Sequence, residues 1–105
     1  MIMKLIEKLS EYIEEELEDA EKYATCALKY KEDNPMLAKV FYDLSNTELN
    51  SHMVALHDEV VRAINDYKNT TGEPPEAMKA VYDYLHEKHI EKANKIKMMH
   101  MQYKG

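Results

Sequence analysis

After Pro35 and as far as about Lys68 the chain runs without a glycine or a proline, and this stretch restricts the fold more than any other. A break-free segment of that length is a helical rod of roughly 50 Å at 1.5 Å per residue. At about 100° per residue, Leu37, Phe41, Leu44, Ala55, Leu56 and Ala63 fall on one face of it. Glu48, His52 and Glu59 fall near the centre of that same face. A carboxylate packed there must be protonated, hydrogen-bonded, paired or metal-bound, because an unpartnered one costs several kcal/mol. The rod therefore carries an inward polar set that needs an explanation.

The rest of the chain extends the helical reading. Ile2, Leu5, Ile6, Leu9, Ile13, Leu17, Ala20, Ala24, Ala27 and Leu28 form one stripe, which predicts a first helix over about 2–31. Asp33-Asn34-Pro35 breaks it, with Asn34 as N-cap and Pro35 as the first residue of a helix over about 35–68. Gly72, Pro74 and Pro75 end that helix and open a third, over about 75–103. Its stripe is Met78, Val81, Tyr82, Leu85, His89, Ile96, Met99 and Tyr103, with His86 and His100 at its flanks. The expected architecture is all-α, a single helical domain over 1–105 of three long antiparallel helices.

The chain has 105 residues, two glycines, no tryptophan and a formal net charge of −6. That balance argues against a nucleic-acid binder, which needs a basic face. One cysteine, Cys26, excludes an internal disulfide framework and suits a reducing, cytoplasmic setting. Neither a signal-peptide core nor a membrane span is expected. The acidic run from Glu11 to Glu21 reads mostly as a solvated face. Lysines at 88, 92, 95 and 97 make the third helix basic, so attraction to the first is expected within or between protomers.

Glu16 stands apart from that run, because it projects within about 40° of the stripe centre. It either pairs at an edge of the interface or faces a site, and Tyr23 lies on the same stripe two turns on. If the chain reverses near Asp33, equal levels on the two helices have residue numbers summing to about 66. Glu16 then lies level with residue 50, between Glu48 and His52. Two carboxylates and an imidazole on facing helices are what bundles use to hold iron or manganese. His89 is either a satisfied core residue or a further ligand. Glu59 is either an outer ligand or a protonated or lysine-paired carboxylate. Met98-Met99-His100-Met101 could hold a soft ion, although methionines at helical spacing usually fill a core or interface.

Glu16-Leu-Glu-Asp-Ala-Glu-Lys-Tyr23 and Phe41-Tyr-Asp-Leu-Ser-Asn-Thr-Glu48 resemble the first two helices of the ferritin-like superfamily, especially rubrerythrin-type and half-ferritin proteins. The resemblance covers about two thirds of the chain. It implies a ferritin-like bundle completed by dimerisation, with two iron (or manganese) ions at a site shared by two protomers. It implies Glu16, Glu48 and His52 as metal ligands and Tyr23 as a redox-active phenol. Glu59 and His89 are further candidates from their stripe positions, and the third helix departs from the family by offering no clear inward Glu with a following His. Fe(II) oxidation or peroxide handling would be the chemistry. The family pattern is Glu-x-x-His, whereas here Ser51 takes that place and His52 follows, which alters the angle of approach. A rival expectation is a non-enzymatic helical interaction module, in which Glu16, Glu48 and His52 form a polar network that fixes register and partner.

Overall fold

The computed structural model describes residues 2–105 and is all-helical among them. Helix α1 spans Ile2–Tyr30, α2 spans Pro35–Thr47, α3 spans Met53–Thr71 and α4 spans Glu76–Lys104. Between α2 and α3 a single π-helical turn, Glu48–His52, keeps the rod continuous. The molecule measures 56 × 18 × 18 Å. No helix among the described residues is long and apolar enough to cross a membrane.

The helix ends follow local chemistry. The Asn34 side chain accepts the Leu37 backbone N–H at 3.3 Å, and Pro35 occupies the first turn, where no intrahelical donor is needed. Gly72 ends α3 with φ of 103°, a left-handed value that a side chain would strain, and its N–H reaches the Lys68 carbonyl at 3.1 Å.

Helix α1 is the hub, in contact with α2, the π turn, α3 and α4. Its buried line is Ile6, Ser10, Ile13, Leu17, Ala20, Ala24 and Ala27. The alanine half of that line lets other backbones come close, and Ala38 and Ser45 of α2 are buried completely. This moves the packed face of α2 and α3 away from the predicted centre. The buried residues are Ala38, Ser45, Leu49 and Val60, while Leu44 is 40% exposed and Ala55 is also exposed. Residue type misleads here, because two small side chains at a close approach are buried more fully than larger apolar neighbours.

Ser45 does more than fill space. Its Oγ donates to the Ala20 carbonyl at 2.6 Å and stands 2.7 Å from His100 Nε2 on α4. With its proton committed to the carbonyl, the hydroxyl accepts from an Nε2–H of His100. One buried hydroxyl thus ties three helices together. The edge of the His100 ring meets Tyr42 at 5.1 Å between centroids, and Tyr42 stacks on Tyr103 at 4.7 Å. Ser45→Ala should leave the buried His100 imidazole N–H without a partner, remove the second donor on the Ala20 carbonyl, and cost about 1–3 kcal/mol in urea unfolding. A loss below about 0.5 kcal/mol, ordinary for a surface change, would mean that the network carries no weight.

The basic α4 does meet the acidic α1 within the chain. Glu21 lies 2.9 Å from Lys95 and 3.5 Å from Lys92. The Lys95 hydrogen bond comes first among the causes that hold its carboxyl below the usual value.

Candidate metal centre

Glu16 on α1 and Glu48 and His52 on the π turn converge. His52 Nδ1 lies 3.1 Å from Glu48 Oε2 and 3.5 Å from Glu16 Oε2. One ligand atom from each of the three residues falls within 4.8 Å of the others. An ion held at about 2.1 Å by its ligands has ligand–ligand edges of about 3.0 Å in an octahedron and about 3.4 Å in a tetrahedron. The two distances to His52 match those edges, so an ion could enter after small side-chain adjustments.

The π turn brings the pair on one strand of this cluster together. In an α-helix a residue four places on overshoots its partner by about 40°. Here the Met53 N–H bonds to the Glu48 carbonyl, a five-residue closure that widens the turn. His52 therefore comes back over Glu48 although one more residue separates them than in Glu-x-x-His. Asn46, Thr47, Asn50 and Ser51 are weak helix formers that compete for backbone groups, and the Asn50 amide donates to the Asn46 side chain at 2.6 Å. That concentration of weak helix formers in mid-rod is the sequence signal for the turn. Leu49 points the other way, fully buried, and anchors the turn in the core.

The cluster sits at the edge of the packed face rather than at its centre. Side-chain exposure is 17% for Glu48, 27% for Glu16 and 54% for His52. Glu59 stands outside it, exposed and 3.0 Å from Arg62. Tyr23 stacks on Phe41 with centroids 6.2 Å apart, two turns along α1 from Glu16. His89 is buried on α4 away from the cluster, its Nε2 3.7 Å from Glu14 Oε1 and without a hydrogen bond.

Sequence reasoning passed over a second imidazole pair. His57 Nε2 and His86 Nδ1 are 3.1 Å apart, and the ring of Tyr82 stacks on His86. The two histidines lie at nearly equal distances along the chain from Gly72, which was the available signal.

Burial holds His57, His89 and His100 below the ordinary histidine value, with His86 adding to the effect at His57 and Lys104 at His100, while Glu14 partly opposes it at His89. The unfolded chain therefore binds protons before the folded one does. Stability from these groups is complete above about pH 6.5 and is lost as pH falls from there through the depressed folded values. Glu21 acts in a lower window, below its usual value of 4.5. The melting temperature should fall from pH 7 to pH 5, and replacing His100 with glutamine should flatten part of that slope. A melting temperature that does not change over this range would contradict the burial of these imidazoles.

Comparison with family models, with curated proteins and with solved structures found no match for this chain.

Proposed function

We propose that the chain is a ferritin-like, carboxylate-bridged metal-binding protein whose centre is Glu16, Glu48 and His52. The observation that carries this reading is the convergence of two half-buried carboxylates and an imidazole, from separate rods, within 4.8 Å. Iron or manganese suits a set with two oxygen donors and one nitrogen. Bound iron would supply oxidation chemistry, either of Fe(II) itself or with peroxide as the acceptor. Within this reading the chain's own residues hold the ion, leave coordination positions open towards solvent beside His52, and offer Tyr23 as a phenol for electron transfer.

Three ligands suffice for one ion but not for two. A two-ion centre needs a second copy related by a two-fold axis, with antiparallel first and second helices in each protomer completing a four-rod bundle. Met36, Met98 and Met101 are 83%, 64% and 72% exposed, which favours an apolar contact between copies.

A second reading rests on the same distances. A hydrogen bond between His52 Nδ1 and Glu48 Oε2, with Glu16 alongside, holds the three groups together with no ion, as an interaction module would require. Metal analysis of untagged protein with sedimentation separates the two. The metal reading expects stoichiometric Fe(II), Mn(II) or Zn(II) that Glu48→Gln removes, and a dimer or larger assembly. A stable monomer at micromolar concentration with metal present would exclude the shared two-ion centre, and absence of stoichiometric metal would leave the interaction module.

A further inference from the structure

The imidazole pair between α3 and α4 is chemically unlike the carboxylate centre. His57 Nε2 and His86 Nδ1 face each other at 3.1 Å from different helices. They border a groove of about 180 Å³ that Met53, His89 and Asn94 also line. No carboxylate lines it, and its one charged lining residue, Lys97, is exposed.

We propose that His57 and His86 form a second cation site, selective for a borderline divalent ion such as Zn(II). Two nitrogens bound at 2.0–2.1 Å in a tetrahedral shell are about 3.4 Å apart, so the rings must part by a few tenths of an ångström and turn until both lone pairs meet at the ion. The groove has room for the ion and for the waters that complete its shell. Binding moves the proton that now lies between the two rings onto a ring nitrogen facing away from the ion, so that both imidazoles ligate in the neutral form. Stacking of Tyr82 on His86, with centroids 5.5 Å apart and planes 10° from parallel, fixes the orientation of the second ring. Hard ions such as Mg(II) or Ca(II) find no anionic oxygen here and are excluded by ligand chemistry.

The test uses the full chain carrying Glu48→Gln, which weakens the carboxylate centre and leaves this groove untouched. Zn(II) titration followed by imidazole nitrogen resonances should shift His57 and His86 together, saturating at one equivalent, while His100 stays in place. Co(II) should give the visible absorption of a nitrogen-ligated tetrahedral ion, and Mg(II) should give no change. Adding His57→Gln or His86→Gln should abolish that equivalent. Should either variant fail to fold, the resonance titration of the Glu48→Gln protein decides alone. Unchanged His57 and His86 resonances at saturating Zn(II), or equal Zn(II) uptake with both histidines replaced, would overturn the proposal and leave only an imidazole–imidazole hydrogen bond. Loss of the carboxylate centre alone would not remove this signal, so the two sites fail separately.

Discussion

Replacing Glu48 with alanine is expected to abolish the effect of a chelator on melting. A bound ion stabilises only the folded state, by about 2.7 kcal/mol when free metal stands at 100 times its dissociation constant. In a chain of this size that corresponds to roughly 10 °C or more. Wild-type protein melted with iron or manganese should therefore lose about that much when chelator is added. Glu48→Ala should melt at the same temperature with or without it. His52→Ala should retain part of the effect, because it removes a neutral ligand and leaves both carboxylates. The interaction-module reading expects a different pattern: chelator changes nothing in the wild type, and truncating Glu48 lowers stability by leaving His52 without one of its acceptors. A wild-type melting point that ignores Fe(II), Mn(II) and chelator alike would end the metal reading and leave the helical fold intact.

The second large effect belongs to Leu49. Its side chain is fully buried although its neighbours on the π turn, Asn50 and Ser51, are exposed. It packs in one core with Ile13, Leu17, Val60 and Ile96, which draws on α1, α3 and α4. Truncation to alanine removes its buried methyls and leaves a cavity that long helices cannot easily collapse. The expected cost is about 2–5 kcal/mol in denaturant unfolding, a large share of the margin of a domain this small. Leu49→Met should cost less than about 1.5 kcal/mol, since it keeps the volume. Because Leu49 sits one residue from Glu48, the alanine variant should also weaken metal binding although it touches no ligand. Equal stability for the alanine and wild-type proteins would contradict the buried position of this side chain.

The all-helical class and the breaks between rods were open to sequence reasoning because they rest on strong local signals. Asn34-Pro35 and Gly72-Glu73-Pro74-Pro75 mark the breaks, and uninterrupted periodicity marks the rods between them. The convergence of Glu16 with Glu48 and His52 followed from counting levels across the first break. Three features were less visible, each for a physical reason. The π turn depends on competition for backbone groups by Asn46, Thr47, Asn50 and Ser51, and an α-helical projection assumes that competition away. The burial of Ser45 and His100 depends on two polar groups satisfying each other from separate helices, so neither residue announces it alone. The position of Glu59 was misjudged for a third reason: a stripe centred on Leu37, Phe41, Leu44 and Leu56 misses a core whose close approaches are built on Ala38 and Ser45. Glu59 consequently faces Arg62 and solvent.

The role of α1 as hub has a consequence for the order in which the chain can assemble during synthesis. Domains and their parts emerge from the ribosome N-terminus first, at about 5–20 residues per second. The helix that every other element needs is therefore made before any of them. The rod of α2 and α3 can dock along α1 as soon as it emerges, burying the alanine line. Helix α4 comes last and settles mainly against α1. The buried Ser45–His100 bond, the His57–His86 pair and the Glu21–Lys95 ion pair must all wait for that final helix. The chain can thus add its parts to a template already in place, with the polar contacts closing last.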